Sequence, residues 1–281
     1  MRVALLQYPI AWADKETNLH LTEERIAALA GKADVAVLPE MFATGFCTDH
    51  PELAETMDGE IIRRLQAAAD QSGVAIVGSF ICLPNKNLND NTNNIPLEST
   101  PSSGKGQIWI KLVNRGFMVV PHGEVQIQDK RHLYAHGGED KFFERANERT
   151  IFEYKGVKIL LLVCYDIRFP VWARNRSGHD YDIILAVANW PDIRIQYWDA
   201  LIAARATENQ CYIAAVNCVG DDGMGLHYNG HSVAYNTHLQ PIVSFDDNEE
   251  GTKIAEFDID KLHHFREVLP LWKDVDAFEL Q

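Results

Sequence analysis

Apolar runs, each cut off by a polar residue, alternate along this chain with stretches of helical period. Arg2–Tyr8, Asp34–Pro39 and Val74–Leu83 read as strands. Short runs rich in Val, Ile and Leu leave no side for solvent, so such strands are buried on both faces. Between them, Asn18–Ala30 reads as a helix with Leu19, Ile26 and Leu29 on one face and Gly31 as its stop. Asp58–Ser72 reads as a second helix, closed by Gly73. The second half repeats the theme. Val157–Cys164 predicts a strand, Val171–Arg176 a short helix, Ile183–Asn189 a strand, Gln196–Gln210 a helix and Cys211–Val219 a strand. Both halves then continue in strands with no helix between them, near Phe117–Val120 and His231–Asn236.

Strand–helix–strand units of this length require right-handed crossovers, with helices covering a parallel sheet. The pattern therefore predicts an α/β protein, and its two similar halves suggest two sheets packed together. One stretch breaks the pattern. Asn85–Asn94 carries six asparagines, and Pro96, Pro101, Ser102, Ser103 and Gly104 follow. It has no helical or strand period and little to bury, so residues 85–111 are expected to form a polar surface insertion within a single domain spanning 1–281. Trp109, between Ile108 and Ile110, adds a candidate short strand inside it.

Composition narrows the function classes. Lys and Arg number 26 against 40 Asp and Glu, a net charge of −14. Such a surface repels polyanions, which argues against nucleic acid and anionic membranes as partners. A local arginine can still reverse the field inside a pocket and admit a small anion. Met1–Gln7 lacks the features of a signal peptide, and no apolar run approaches the roughly 18 residues of a membrane span. The five cysteines are scattered, and Cys82, Cys164, Cys211 and Cys218 sit in apolar runs. That distribution points to free thiols in a cytoplasmic protein.

In open α/β sheets, chemistry gathers outside the carboxyl ends of the strands. The run Ile159–Val163 ends at Cys164, where a nucleophile is expected, with Tyr165 opening the turn behind it. The competing reading is a small buried hydrophobe. Glu40 follows the apolar run Val35–Pro39, Lys130 stands in Asp129-Lys130-Arg131-His132-Leu133, and Glu139 comes nine residues later. A carboxylate placed straight after a buried strand is costly unless it is paired or used.

Leu38-Pro39-Glu40-Met41-Phe42, Asp129-Lys130-Arg131-His132-Leu133 and Val163-Cys164-Tyr165-Asp166-Ile167-Arg168-Phe169-Pro170 resemble, in identity and in order, the motifs of the nitrilase (carbon–nitrogen hydrolase) superfamily. Ala188-Asn189-Trp190-Pro191 and Ala204–Gln210 look most like its omega-amidase branch. The likeness runs from Arg2 to Leu280 and departs from the family only in the Asn85–Lys111 segment. It implies an αββα sandwich of two packed sheets covered by helices, and a cofactor-free, metal-free homodimeric enzyme. It implies hydrolysis of the omega-amide of short 2-oxo acids such as 2-oxoglutaramate, by way of a cysteine thioester.

In that scheme Cys164 attacks as thiolate, its pKa lowered by a nearby lysine, and Glu40 shuttles the proton. Lys130 and the backbone N–H of Tyr165 bind the oxyanion. Glu139 resembles the family's second glutamate, with Glu144 as the competing position. For the substrate, Arg168 either grips a carboxylate or forms an ion pair with Asp166. Trp190 and Phe42 either wall the pocket or belong to the core. Nitriles, carbamoyl amines and simple aliphatic amides are alternative substrates within the same chemistry. A non-catalytic binding protein on the same fold and a thiol-redox protein are the alternatives outside it.

Other signals fall to plainer readings. His132 and His136 have the spacing of metal ligands on a helix, but Gly137-Gly138 argues against a helix there. Gly220–Gly225 follows a strand but leads into no helix, so it is not a phosphate cradle. His263-His264 reads as a surface pair.

Overall fold

The computed structural model describes residues 1–84 and 111–279. The expected insertion, apart from Lys111, and the strand expected around Trp109 lie outside the described residues. The first half runs β1 (Arg2–Gln7), α1 (Lys15–Ala27), β2 (Val35–Val37), α2 (Glu60–Ser72), β3 (Ala75–Cys82), β4 (Val113–Val119), β5 (Gln126–Asp129) and the single turn α3 (Glu139–Phe142). The second runs β6 (Ile151–Tyr154), β7 (Val157–Val163), α4 (Pro170–Ala173), β8 (Ile183–Ala188), α5 (Ile195–Asn209) and β9 (Tyr212–Asn217). A hairpin, β10 (Val219–Asp221) with β11 (His227–Asn229), precedes β12 (Val233–Tyr235) and β13 (Pro241–Ser244). β14 (Gly251–Glu256) and α6 (Ile259–Val268) complete the order.

Two six-stranded sheets result, ordered β14-β1-β2-β3-β4-β5 and β13-β12-β9-β8-β7-β6. The helix-linked strands β1, β2 and β3 pair in parallel, as do β7, β8 and β9. β14 returns from the far end of the sequence to pair antiparallel with β1.

Side-chain alternation decides which layer each residue joins. Val35 and Val37 of β2, with Ile159, Leu161 and Val163 of β7, enter the layer between the sheets. Ala36 faces outward to the layer under α1 and α2, and Leu160 and Leu162 face the layer under α5. Each such fully buried aliphatic contributes about 1.5–3 kcal/mol. The sheets approach closely at Gly116, where a Cβ would lie 2.6 Å from Leu161 Cδ2. The expected αββα sandwich is therefore the observed one. Among the described residues no helix is long and apolar enough to cross a membrane.

Boundaries moved for local reasons. α1 starts at Lys15 rather than Asn18 because Asp14 caps it, accepting from Thr17 N at 3.1 Å. Asn18 is buried inside the first turns, donating to the carbonyls of Ala11 and Ala43. α2 ends where expected: Gly73 takes φ 71° and donates to Ala69 O. His263 and His264 are exposed, as expected, and His263 Nε2 also lies 2.9 Å from the buried carboxylate of Asp182, which pairs with buried Arg266.

Candidate active site

Three strand ends converge between the sheets. The chain leaves β2 through Leu38 and Pro39, and Glu40 follows with no exposure. Met41 then turns through the left-handed region at φ 45°, anchored by its N–H on Ser79 Oγ at 3.0 Å. Lys130 stands immediately after β5, also fully buried, its backbone N–H on Asn114 O. Cys164 follows β7 at φ 47° and opens a short 3₁₀ turn to Arg168. A non-glycine residue in this conformation is strained, and such strain gathers at functional sites.

Asp166 holds that turn. Its buried carboxylate accepts from Val163 N at 3.2 Å, His132 N at 2.8 Å and His132 Nδ1 at 2.8 Å. His132 stacks on Phe169 with centroids 3.7 Å apart. Asp166 therefore pairs with His132, and the alternative ion pair with Arg168 is not formed. The His132 ring is held by this carboxylate and lies outside any helix.

Glu40, Lys130 and Glu139 form one charged cluster. Lys130 Nζ lies 2.9 Å from Glu40 Oε1 and 2.8 Å from Glu139 Oε2. Glu139 begins α3 with no exposure, and its Oε2 also accepts from Tyr134 N at 2.7 Å. Glu144 is exposed and forms no ion pair with a described residue, so Glu139 is the glutamate at the site. Glu40 Oε2 accepts from the backbone N–H of Asn189, the residue after β8.

Electrostatics correct one expectation. Burial, and then the Glu40 carboxylate, hold the Cys164 thiol well above its ordinary range; Lys130 pulls the other way and is outweighed. The shift favours the thiol over the thiolate at this position. Burial by itself would depress Lys130, yet Glu139 and Glu40 leave it raised and firmly protonated. Burial also raises Glu139, against the pull of Lys130.

The residues expected around the substrate separate. Arg168 lies over the rings of Trp190 (4.8 Å), Tyr197 (5.2 Å) and Tyr165 (5.8 Å), and it forms no ion pair with a described residue. Trp190 is nearly buried against Trp198. Phe42 is sealed under the helices, edge-on to Phe117, and belongs to the core. Phe46, four residues on, is the aromatic that faces Lys130 at 5.3 Å. Sequence reasoning passed over Phe46, Asp166 as turn anchor, and Asn114. A lone Asn after Leu112-Val113 in a buried strand was the available signal for the last.

Comparison with known proteins places this geometry. Residues 2–267 match the family described as Carbon-nitrogen hydrolase. The chain is 38% identical over 281 residues to the omega-amidase YafV of Escherichia coli (strain K12), covering all of this chain and 98% of that one. It is 30% identical to the 2-oxoglutaramate amidase of Bacillus subtilis (strain 168), covering 97% and 96%. Its fold is similar to that of a CN-hydrolase superfamily protein from Xanthomonas campestris solved with an arsenic adduct in the active site. That likeness has a TM-score of 0.87 and 34% identity, over 100% of this chain and 99% of that one.

Proposed function

Because this chain belongs to the carbon–nitrogen hydrolase family, we propose that it hydrolyses the omega-amide of short 2-oxo acids such as 2-oxoglutaramate, with Cys164 as nucleophile. The observation that carries the reading is the buried cluster of Glu40, Lys130 and Glu139 beside the strained Cys164 turn. The names of the E. coli and B. subtilis relatives support the substrate class.

Cys164 Sγ attacks the amide carbonyl carbon as Glu40 takes the thiol proton. The oxyanion is held by Lys130 Nζ and the N–H of Tyr165, and such donors are worth about 100-fold or more in rate. The tetrahedral intermediate collapses, Glu40 passes its proton to the departing nitrogen, and ammonia leaves a thioester. Water, deprotonated by Glu40, attacks the thioester; its collapse releases the carboxylic acid and returns the proton to Sγ. Glu139 holds Lys130 from the far side and keeps it in place.

Arg168 supplies the substrate carboxylate contact in this proposal. Its guanidinium rests on aromatic faces with no carboxylate partner among the described residues, in a chain whose net charge of −14 otherwise repels a dianion. Trp190 and Tyr165 flank it. The homodimer and the cytoplasmic location implied by the resemblance belong to the same proposal. Val171, Ile193 and Tyr197 are exposed large apolar residues of the kind that pairing of two copies would cover.

The test is ammonia release over a panel of omega-amides, nitriles, carbamoyl amines and aliphatic amides. The expected result is the highest kcat/KM for 2-oxoglutaramate. Preference for an uncharged amide or a nitrile would overturn the substrate assignment, and light scattering decides the dimer.

A further inference from the structure

We propose that Asn114 is a positioning residue of this site: a neutral, two-pronged donor that holds Glu40 and Glu139 against one shared lysine. The inference rests on the catalytic reading of Glu40, Lys130 and Cys164 given above. Asn114 lies in β4 with no exposure. Its Nδ2 donates to Glu40 Oε1 at 2.8 Å and to Glu139 Oε1 at 3.1 Å. Lys130 Nζ donates to the same two oxygens at 2.9 and 3.0 Å. Two donors and two acceptors thus alternate around a closed ring. Asn114 also accepts the backbone N–H of Lys130 at 2.9 Å, so one residue touches all three members of the charged cluster.

The chemistry of the amide fixes its orientation. An asparagine side chain has two N–H bonds, and here each points at a carboxylate. The flipped amide would aim its oxygen at two acceptors. In the observed orientation Oδ1 is buried without a partner, a cost that a residue selected for packing alone would avoid. The arrangement makes sense if the second donor must carry no charge. Lys130 has three N–H bonds; two are engaged by Glu40 and Glu139, which leaves one for the oxyanion. A second cation in place of Asn114 would pin Glu40 in its ionised form and weaken it as a base. An amide gives the same directional hold and lets Glu40 bind and release a proton in each half-reaction.

The experiment compares Asn114→Leu, which removes the donors at similar volume, with Asn114→Asp, which adds a third carboxylate. Active sites are titrated by iodoacetamide labelling of Cys164, so that rates refer to folded enzyme. Loss of a hydrogen bond to a charged group predicts a fall in kcat of about 10- to 100-fold for Asn114→Leu, with KM little changed. The acid limb of kcat/KM should move to higher pH in both variants, further in Asn114→Asp, because each carboxylate loses a donor to its charged form and the aspartate adds a like charge. The midpoint of Cys164 alkylation against pH should also rise in Asn114→Asp, a readout that needs no turnover. If the wild-type protein releases no ammonia from any substrate, the proposed function fails, and the alkylation midpoint alone then decides whether Asn114 belongs to the charged cluster. Unchanged acid limbs and an unchanged alkylation midpoint, with activity lost only in proportion to folded protein, would overturn the inference. Failure of both variants to fold would assign Asn114 a structural role and overturn it equally.

Discussion

Asn189 grips Glu40 twice: its backbone N–H donates to Glu40 Oε2 at 3.0 Å, and its side-chain Nδ2 donates to the Glu40 carbonyl oxygen at 2.9 Å. The two residues end strands of opposite sheets, so this clasp joins the halves of the sandwich at the site. Asn189 O also lies 3.9 Å from Cys164 Sγ, and Cys218 Sγ donates to Asn189 Oδ1 at 3.0 Å. Asn189→Ala keeps the backbone donor and removes the other. It should lower kcat and cost about 1–3 kcal/mol in urea unfolding, since the buried Glu40 carbonyl loses its partner. Unchanged kcat would mean that the clasp serves the fold alone.

Cys164→Ala should abolish turnover with the fold intact, and residual activity above about one part in a thousand would sink the covalent route. Cys164→Gly should be more stable than Cys164→Ala by about 1 kcal/mol, because the position sits at φ 47° and glycine carries no left-handed penalty. Denaturant melts of the pair decide this.

Iodoacetamide should modify Cys164 first. Cys47, Cys82, Cys211 and Cys218 are buried, whereas Cys164 is partly exposed. Burial pushes the thiols of Cys47 and Cys211 up to about 12 and that of Cys82 to about 11. Because the Cys164 thiol is itself raised, its alkylation rate should keep climbing above the ordinary thiol range. A rate already level at neutral pH would show a resting thiolate.

Glu40→Gln should stop both half-reactions, and Glu144→Gln should do little. Lys130→Met leaves two buried carboxylates facing each other without their cation, a loss of about 3–5 kcal/mol. The sign of its pH dependence follows. Glu139 is already raised by burial, and removing Lys130 raises it further, so the folded state binds a proton that the unfolded chain does not. Stability of Lys130→Met should therefore increase as pH falls through the folded pKa of Glu139 and be lost as pH rises through it. A melting temperature that instead dropped on mild acidification would contradict this.

Arg168→Lys keeps the charge but loses the planar fork stacked on Trp190 and Tyr197. KM for 2-oxoglutaramate should rise by a factor equivalent to about 1.5–3 kcal/mol, while an uncharged amide of similar length should be nearly indifferent. Equal loss on both substrates would make Arg168 structural.

The layered α/β architecture was legible in the order of apolar runs, because a strand buried on both faces admits only apolar residues and its end is marked by the first polar one. The same logic located Glu40 and Cys164 at strand ends, whereas Lys130 follows the polar strand β5 and was marked by its motif; the ordered motifs tied all three to a family. What the sequence left open were partnerships, and those depend on which distant segments meet. The sequence preferred Glu139 and kept Glu144 as a competitor; the turn of α3 aims the first at Lys130 and leaves the second in solvent. Asp166 and Arg168 are neighbours in sequence, yet the 3₁₀ turn directs one to His132 and the other to Trp190. The sign of the Cys164 shift is likewise tertiary, because burial and Glu40 arrive from across the sandwich and outweigh the nearby lysine. Periodicity reports the faces of single elements, whereas hydrogen-bond and charge partners are set by the packing of elements far apart in the chain.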